Sequence, residues 1–243
     1  MSLDKINYSL IIPCFNESKS LPNLIERCSI LVSKKPIEVI LVDNGSTDNT
    51  NEILKELLSN RNHIRSVTVR KNQGYGFGIL SGLKKARGKI IGWTHADLQT
   101  DPLDVLDSID LYEKNGNNIF TKGVRKGRPF ADNFFTLGMS FFETVLLKKP
   151  LWDINAQPTM FPRVFFESWD DPPYDFSLDL YAYFLAKTKK LDVLRHKVYF
   201  GKRQFGVSSW NIDLKSKFRF IKRTVSFSFE LKKRLDHGNN SPS

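Results

Sequence analysis

The chain has few cysteines, few histidines and no long hydrophobic run, and each shortage excludes a class of protein. Cys14 and Cys28 are its two cysteines, so we do not expect a fold held by disulfides. We expect the protein in a reducing cytoplasm. No window approaches about 18 unbroken apolar residues, so we expect no transmembrane helix. Residues 1–5 lack the apolar core of a signal peptide. The four histidines form no motif with metal-ligand spacing: His63, His95, His196 and His237.

Positive charge is abundant, and most of the excess lies near the end of the chain. The formal net charge is +11. Between Leu214 and Leu235, eight lysines and arginines stand against a single acid, Glu230, which accounts for seven of the eleven charges. Such an excess suits nucleic acid, an anionic membrane or phosphorylated substrates. Because much of the aromatic content lies in apolar runs rather than among the lysines, we predict no nucleic-acid partner.

Apolar runs alternate with helical patterns along the first half of the chain. The runs that we predict as strands are Tyr8–Pro13, Ile37–Val42, Ile64–Val69, Lys89–Trp93 and Asn118–Thr121. Between successive runs, apolar spacing, caps and turn residues predict helices. This order predicts an α/β fold with a Rossmann-like, mostly parallel sheet flanked by helices, whose ligands bind at the carboxyl ends of the strands.

The pattern changes in the second half of the chain. The predicted elements are a basic loop at Lys122–Arg128, helices at Phe134–Leu147 and Tyr174–Lys187, an irregular segment at Trp152–Pro162 and a strand at Val193–Phe200. We expect one domain over residues 1–211, with its halves meeting at residues 123 and 124. A basic helical tail over residues 212–243, with a disordered end, follows it.

Asp97 and Gln99 follow the predicted strand Lys89–Trp93, where an apolar run stops at an acid and an amide. Residues two apart in an extended segment share a face, so both side chains can offer oxygen to one ligand. Oxygen donors suit a hard divalent cation, and such a cation suits a diphosphate. The alternative is simple hydrogen bonding in a turn before Asp101.

Three further segments occupy the same kind of position. Phe15 can stack near a nucleobase and Glu17 can accept from ribose hydroxyls, or the segment is a strand-to-helix turn with Glu17 in a capping role. Asp43 ends an apolar strand, where a partly desolvated carboxylate needs ligand or protein donors, and a simple turn is equally consistent. The glycines from Gly74 to Gly78 allow either close backbone approach to a substrate or tight helix packing.

Two segments of the second half carry charged side chains that suit catalysis or phosphate binding. Asp175 and Asp179 are spaced i, i+4, and Asp179 is either a general base toward an acceptor hydroxyl or an ion-pair partner of a lysine. The loop from Lys202 to Ser209 contains Arg203 and is either a phosphate-facing loop or an exposed basic one.

These motifs, in this order and at these spacings, resemble family 2 glycosyltransferases of the GT-A fold over residues 8–210. The strongest segments are Ile12-Pro13-Cys14-Phe15-Asn16-Glu17, Val42-Asp43-Asn44-Gly45-Ser46-Thr47-Asp48, Asn72-Gln73-Gly74 with Gly82, and Ala96-Asp97-Leu98-Gln99 before Asp101-Pro102. Within the family the chain looks most like the dolichyl- or polyprenyl-phosphate sugar synthase branch. The segments that indicate this branch are Gly123-Val124-Arg125 and the loop with Arg203, Phe205, Gly206 and Ser208.

The resemblance implies a nucleotide-diphosphate sugar as donor and a role for each matching residue. The nucleotide-sugar site would include Pro13, Phe15, Glu17, Asp43, Gly74 and Ala96. Asp97 and Gln99 would bind Mg²⁺ or Mn²⁺ against the diphosphate, with His95 beside them, and Asp97 would thereby take part in catalysis. The phosphate-binding residues would be Arg125, Arg203 and Ser208. Asp179 would be the general base of an inverting transfer.

The chain departs from the family's pattern at three places. His95 stands where the family has the first acid of an aspartate-x-aspartate motif, and neutral imidazole is a poorer ligand for Mg²⁺ but can bind Mn²⁺. Thr136 stands near an expected arginine, and residues 153–159 replace a segment that usually ends in glycine-phenylalanine-arginine. Because two acceptor-side arginines are absent, we expect the acceptor to be a sugar hydroxyl on a lipid-linked or cell-envelope glycan. Polyprenyl phosphate as acceptor, or nucleotide-sugar binding without catalysis, are the alternatives.

The tail has the pattern of a helix with two apolar stripes. The first stripe is Leu214, Phe218, Ile221 and Val225, and the second is Phe220, Phe227 and Leu231. One stripe can pack on the domain while the other meets an anionic bilayer, or both can be buried against the fold or a second subunit. We therefore expect a cytoplasmic protein peripheral to the inner face of the membrane, and homo-oligomerisation remains the alternative use of the tail.

Overall fold

The computed structural model describes residues 5–127, 130–201, 203, 205 and 214–238, without the side chains of 130–135, 214–220 and 235–238. Its strands are β1 (Tyr8–Cys14), β2 (Ile37–Asn44), β3 (Ile64–Val69), β4 (Ile90–Trp93), β5 (Ile119–Lys126), β6 (Thr159–Pro162) and β7 (Asp192–Tyr199). Its α-helices are α1 (Leu21–Lys34), α2 (Thr50–Leu58), α3 (Tyr75–Leu83), α4 (Val105–Asn115), α5 (Phe130–Leu147), α6 (Arg163–Glu167), α7 (Ser177–Thr188) and α8 (Leu214–Gly238). Within the described residues, none of these helices has the length and apolar character needed to cross a membrane.

A seven-stranded sheet forms the centre of the molecule, with strand order β3-β2-β1-β4-β6-β5-β7. β1 pairs in parallel with β2 and β4, and β2 pairs in parallel with β3. β6 is inserted antiparallel between β4 and β5, and β7 pairs in parallel with β5 at the edge. The α/β fold with a mostly parallel sheet, as predicted from the alternating pattern, is confirmed.

Both faces of this sheet are buried, which explains the continuous apolar runs of its central strands. In β1, Ile11 packs in one core together with α3 and α7. Its neighbours Leu10 and Ile12 pack in the other core together with α1 and α4. Successive side chains of a strand point to opposite faces, so a strand covered on both sides must be apolar throughout.

Two predictions for the second half are wrong in part. The segment Lys122–Arg128 is not simply a loop, because β5 continues to Lys126, which lies opposite Tyr199 of β7. The segment predicted as irregular at Trp152–Pro162 ends in β6, whose four residues lie between β4 and β5. Both strands are held by pairing with distant segments, and such tertiary contacts override the local pattern.

The carboxyl ends of β1, β2 and β4 lie at the same edge of the sheet. Cys14, the last residue of β1, lies opposite Asp43 of β2, and Ile11 lies opposite Trp93, the last residue of β4. The loops that follow these three strands therefore converge over one region, as expected for ligand sites of parallel sheets.

Gly92 lies in β4, between β1 and β6, and has no room for a side chain. A Cβ atom at this position would lie 2.0 Å from the backbone oxygen of Thr159 in β6. We predict that Gly92→Ala lowers the free energy of unfolding by about 3 kcal/mol, because the backbones of two paired strands must separate. Urea unfolding measures this change.

Gly138 in α5 provides the matched control, because a Cβ atom there would meet nothing within 4 Å. Gly138→Ala should leave the free energy of unfolding unchanged or raise it by up to about 1 kcal/mol, as expected for alanine in a helix. Equal losses in Gly92→Ala and Gly138→Ala would contradict the packing argument.

Candidate active site

A cavity of about 910 Å³ lies at the sheet edge where β1, β2 and β4 end. Its walls come from the loops after these strands, from α5 and α8, and from α7 with the segment before it. The predicted site residues that line it are Pro13, Phe15, Glu17, Gly74, His95, Ala96, Asp97, Gln99, Arg125, Asp179 and Arg203. Asp43 does not line this cavity, and Ser208 lies outside the described residues.

The loops after β1 and β2 are hydrogen-bonded to each other. The backbone N–H of Asn16 donates to Ser46 Oγ (3.1 Å), and Asn16 Oδ1 accepts from the backbone N–H of Thr47 (2.8 Å). Asn16 has a φ of 57°, which asparagine adopts more readily than most residues. Phe15 is 44% exposed and lines the cavity, so its ring is accessible to a flat ligand such as a nucleobase.

Glu17 is the acid of this first loop. It accepts from Ser20 Oγ (2.5 Å), while burial raises the pKa of the Glu17 carboxyl and the Ser20 hydrogen bond opposes the rise. A partly desolvated carboxyl gains from further hydroxyl donors. Glu17 therefore lies in the strand-to-helix turn and lines the cavity, but its carboxylate makes no cap bond to an N–H of α1, and a ligand role stays a prediction.

Asp43 is buried, and its carboxylate is used within the protein. Oδ1 accepts from the backbone N–H of Ser46 (3.0 Å), and Oδ2 accepts from Asn51 Nδ2 (2.9 Å). Its neighbour Asn44 lines the cavity, and the side-chain oxygen of Asn44 is buried without a hydrogen-bond partner among the described residues. Asn44 Oδ1 is thus the side-chain acceptor at the end of β2 that no described residue occupies, while a ligand role for Asp43 stays a prediction.

Gly74 is required by both its conformation and its packing. Its φ is 118°, and a Cβ atom there would lie 2.3 Å from the backbone oxygen of Tyr174. Asn44 Nδ2 donates to the Gly74 carbonyl (2.9 Å), which joins the end of β2 to the start of α3. The packing interpretation of this glycine is therefore met, and Gly74 also lines the cavity.

Asp97 is 9% exposed, and both of its carboxylate oxygens accept hydrogen bonds from the protein. Oδ1 accepts from the backbone N–H of Gln99 (3.1 Å), and Oδ2 accepts from Nη2 of Arg203 (2.6 Å). Gln99 Nε2 donates to the backbone oxygen of Gly201 (3.3 Å), so the amide oxygen is the atom that Gln99 can offer to a metal. The His95 ring stacks on Tyr75, with ring centroids 5.6 Å apart.

The side chains of His95, Asp97 and Gln99 fit a cation that arrives with a diphosphate better than a cation held by protein alone. Within the described residues, no three histidine, cysteine, aspartate or glutamate side chains form a metal-binding group. Mg²⁺ is commonly bound by one or two carboxylates together with substrate phosphates. Asp97 offers one carboxylate, while Gln99 and His95 offer neutral donors, of which imidazole suits Mn²⁺ better than Mg²⁺. These three residues therefore fit a divalent cation whose remaining ligands come from the substrate.

Asp179 is a buried acid that lines the cavity inside a network of polar side chains. Its Oδ1 accepts from Trp93 Nε1 (3.3 Å) and from Nε2 of Gln157. Burial raises the pKa of Asp179, and the charge of Lys122 opposes the rise. A carboxylate with a raised pKa accepts a proton more readily, so Asp179 has the chemistry of a general base.

Lys122 of β5 is the fully buried cation of this network. Its Nζ donates to the backbone oxygen of Ala156 (2.9 Å) and to Thr159 Oγ1 (3.2 Å). Burial lowers the pKa of Lys122 to about 7, and the charge of Asp179 opposes the fall. Sequence reasoning missed this residue because a lysine after an apolar run indicates a loop, although its position directly before Gly123 in a strand-like segment was a usable signal.

Three described arginines line the cavity, and each is paired with an aspartate. The pairs are Arg125 with Asp153, Arg203 with Asp97, and Arg223 with Asp175. Arg223 belongs to α8 and donates from Nε and Nη2 to Oδ2 of Asp175, at 3.2 and 2.9 Å. No motif indicated that the tail reaches the cavity, so this arginine was missed. Thr136, near the position where the family pattern has an arginine, lines the same cavity from α5.

Glu143 is a buried acid where α5 meets α8 at the cavity wall. Its Oε1 accepts from Ser228 Oγ of α8 (2.7 Å), and Oε2 has no hydrogen-bond partner among the described residues. Burial raises the pKa of Glu143 to about 7, and the Ser228 hydrogen bond opposes the rise. The folded protein therefore keeps a proton on Glu143 at pH values where an exposed glutamate is ionised.

Most of the residues that line the cavity fall within a known family pattern. The family model for glycosyl transferase family 2 matches residues 9–168, which is more than half of the chain. The chain belongs to glycosyl transferase family 2. The match runs from β1 through α6 and includes the loops that carry Glu17, Asn44 and Asp97, so the family predicted from the motifs is confirmed.

The curated relatives that match this chain are named as undecaprenyl-phosphate sugar transferases. The undecaprenyl-phosphate 4-deoxy-4-formamido-L-arabinose transferase of Pectobacterium atrosepticum is 41% identical over 102 residues, which cover 41% of this chain and 31% of that protein. The enzyme of the same name from Yersinia enterocolitica is 37% identical over 111 residues, covering 44% and 33%. The chain spans about a third of the length of the curated relatives that it matches. They confirm the resemblance to the polyprenyl-phosphate sugar branch.

Solved structures confirm the GT-A fold. Glucosyl-3-phosphoglycerate synthase from Mycobacterium tuberculosis, in complex with Mn²⁺, uridine diphosphate and phosphoglyceric acid, matches with a TM-score of 0.71 at 18% identity, covering 93% of this chain and 78% of that one. Residues 1–349 of TarS from S. aureus match with a TM-score of 0.57 at 19% identity, covering 80% and 60%. At these identities the likeness concerns the fold alone.

We predict that Glu143 makes the folded protein less stable as the pH rises from about 4.5 to about 7. In this interval the folded state holds a proton that the unfolded state releases, so rising pH favours unfolding. For one carboxyl with this difference in pKa, the loss is about 3 kcal/mol. Comparing urea unfolding of the parent protein and Glu143→Gln across this interval isolates the effect, because the amide does not titrate.

Ser228→Ala is the matched variant for this test. The Ser228 hydroxyl stabilises the ionised form of Glu143, so its removal should raise the pKa of Glu143 further. The free energy of unfolding should then continue to fall to a higher pH than in the parent protein. If Glu143→Gln and the parent protein show parallel stability curves between these pH values, the buried acid does not titrate as described.

Proposed function

We propose that the protein transfers a sugar from a nucleotide-diphosphate donor to the phosphate of a polyprenyl-phosphate acceptor, with inversion at the anomeric carbon. An acceptor oxygen forms a bond to the anomeric carbon while the bond from that carbon to the diphosphate breaks, and nucleoside diphosphate leaves. The observation that carries the proposal is the presence of three arginines in one cavity. Membership of family 2 and the names of the relatives support it.

The donor would bind where the loops after β1, β2 and β4 converge. Phe15 offers a ring to the base, and Glu17 and Asn44 offer acceptors to hydroxyl groups. A divalent cation held by Asp97 and its neighbours would supply positive charge to the diphosphate. Arg203 now binds Asp97, and its guanidinium fork can bind phosphate oxygens when Asp97 takes another partner.

The acceptor phosphate would bind on the side of the cavity formed by β5 and α8. A phosphate monoester carries close to two negative charges at neutral pH. Arg125 and Arg223 face the same cavity, and guanidinium groups bind phosphate through paired N–H donors. Their partners Asp153 and Asp175 keep the two arginines in place before the acceptor arrives.

A sugar hydroxyl was the acceptor expected from the sequence, because two arginines of the family pattern are absent. Arg223 weakens that argument, since α8 supplies a guanidinium that α5 lacks at Thr136. Asp179 is the observation that favours a hydroxyl acceptor as second candidate. A hydroxyl nucleophile needs a base, whereas a phosphate is already ionised.

We predict that Asp97→Asn lowers the rate of nucleoside-diphosphate release at least about a hundredfold, because it removes the one carboxylate of the cation site. The measurement uses a panel of nucleotide-diphosphate sugars with undecaprenyl phosphate and Mn²⁺. Asp107→Asn in α4 is the control, since Asp107 is exposed and does not line the cavity. Full activity of Asp97→Asn would reject the site, and donor binding by the parent protein without any transfer would support a non-catalytic binder.

We predict that Arg223→Gln raises KM for the lipid phosphate at least about tenfold and leaves the affinity for the sugar nucleotide unchanged. The variant removes a guanidinium that, in the proposal, binds the acceptor phosphate and not the sugar nucleotide. Steady-state kinetics with varied acceptor measure KM, and calorimetry measures donor binding. Arg234→Gln is the control, because Arg234 also lies in α8 but pairs with Asp171 and Glu230 outside the cavity lining. Equal effects of the two variants would contradict a direct role for Arg223.

The pH profile of Asp179→Asn then separates the two acceptor classes. With a phosphate acceptor, this variant should lose activity chiefly below about pH 6, where the acceptor keeps a proton. With a hydroxyl acceptor, it should lose about a hundredfold to ten-thousandfold at every pH at which Asp179 is ionised in the parent protein, neutral pH included. The second result would overturn the phosphate acceptor in favour of a glycan hydroxyl.

A further inference from the structure

Exposed apolar side chains are concentrated on one surface formed by α5 and α8. Leu137, Phe141 and Val145 follow one another at i, i+4 and i+8 along α5, and they are 56%, 62% and 62% exposed. Phe229 of α8 is also exposed, and its ring packs edge-on against Phe142 of α5 with centroids 6.4 Å apart. The contact of Phe142 with Phe229 joins the two helices, and we call the surface that carries Leu137, Phe141, Val145 and Phe229 the α5–α8 outer surface.

Positive charge borders the α5–α8 outer surface. The exposed lysines at its border are Lys148, Lys222 and Lys233. Two of them share a stripe of α8 with Phe229, at spacings of seven and four residues. Among the described side chains of α5 and α8, Glu143 is buried and Glu230 pairs with Arg234 on another stripe. No described acid of these helices therefore offsets the lysines on this surface.

The inner sides of the same two helices line the cavity. Ser140 and Glu143 of α5 and Thr224 of α8 are among the lining residues. Phe227 and Leu231 of α8 pack against the core, so these two residues of the second apolar stripe are used within the fold. The surface available to a partner is therefore the outer one.

We propose that the α5–α8 outer surface binds an anionic lipid bilayer. The apolar side chains would enter the boundary between headgroups and acyl chains, and the lysines would contact lipid phosphates. Amphipathic helices bind membranes through this combination of apolar area and basic charge. The proposal goes beyond sugar transfer, because binding to a bilayer requires neither donor nor acceptor.

A second copy of the chain fits this surface less well. In a twofold dimer the same patch meets itself, so the lysines of both copies would be brought together. Like charges across an interface are unfavourable, whereas an anionic bilayer neutralises them. Charge complementarity therefore favours the bilayer.

Vesicle cosedimentation of the full chain tests the proposal. The parent protein should bind phosphatidylcholine vesicles that contain phosphatidylglycerol, and bind vesicles of phosphatidylcholine alone much more weakly. The triple variant Leu137→Ser, Phe141→Ser, Val145→Ser should lower binding at least about tenfold, and Phe141→Ser alone should lower it measurably. Lys148→Gln and Lys233→Gln should each lower binding about fivefold.

Matched variants elsewhere on the protein provide the controls. Val164→Ser in α6 removes an apolar side chain that is 71% exposed, and Lys55→Gln and Lys114→Gln remove the same charge from exposed positions. These variants should bind vesicles like the parent protein. Equal losses in test and control variants would overturn the proposal, because they would show general attraction of a basic protein to anionic lipid.

Two further outcomes would also overturn it. One is failure of the parent protein to bind anionic vesicles. The other is a dimer in sedimentation velocity that the triple variant abolishes while vesicle binding is unaffected, which would assign the surface to a second copy. Transfer to a short-chain, water-soluble polyprenyl phosphate should be unchanged in the triple variant, so loss of vesicle binding is distinguishable from failure of the proposed function.

Discussion

The parallel pairing of β1 with β2 and β4 is the constraint from which the cavity follows. Strands that run in the same direction end at the same edge, so their polar loops meet there. The reversed strand β6 adds a second effect at that edge, because the segment before it carries Gln157 next to the end of β4. Trp93 and Gln157 then donate to the same oxygen of Asp179, which fixes the acid relative to the sheet.

Pairing of charges is the second constraint on the cavity. An unpaired charge in a partly buried site is costly, and the cavity arginines avoid this cost by binding aspartates. Under the proposed function, Asp97 exchanges Arg203 for a cation, and Arg203 exchanges Asp97 for the diphosphate. Because each residue gains one partner as it loses another, the exchange leaves no charge alone. This explains how an acid that is already hydrogen-bonded can still serve a substrate.

The part of the cavity formed by the loops after β1, β2 and β4 could be predicted from the sequence because it depends on local features. An apolar run that ends at an acid marks a strand end, and the parallel order brings such ends together without any knowledge of packing. This argument predicted that Asp97, Gln99 and Glu17 lie together, and all three line the cavity. Asp43 shows the limit of the argument, since the same pattern cannot tell whether the carboxylate faces a ligand or, as here, Ser46 and Asn51.

The opposite part of the cavity, formed by β5, α5, α7 and α8, could not be predicted because its contacts join distant segments. Gln157 meets Asp179 across 22 residues, Arg223 meets Asp175 across 48, and Glu143 meets Ser228 across 85. The burial of Lys122 likewise depends on β6 and β7, not on its neighbours in the chain. A local sequence pattern carries no information about such contacts. Lys122 was therefore assigned to a loop, and Arg223 was assigned to the basic tail.

The structure divides the basic charge of the tail between two uses. Arg223 and Arg234 pair with the segment before α7, so they hold α8 on the domain and are not free to meet a membrane. The lysines on the outer stripe of α8 remain, but among the described side chains of that helix they lie beside one exposed aromatic ring, Phe229. The larger apolar contribution comes from α5, whose sequence carries no basic cluster. Membrane binding, on this argument, belongs to the pair of helices, and the same pair forms the cavity wall on its inner side.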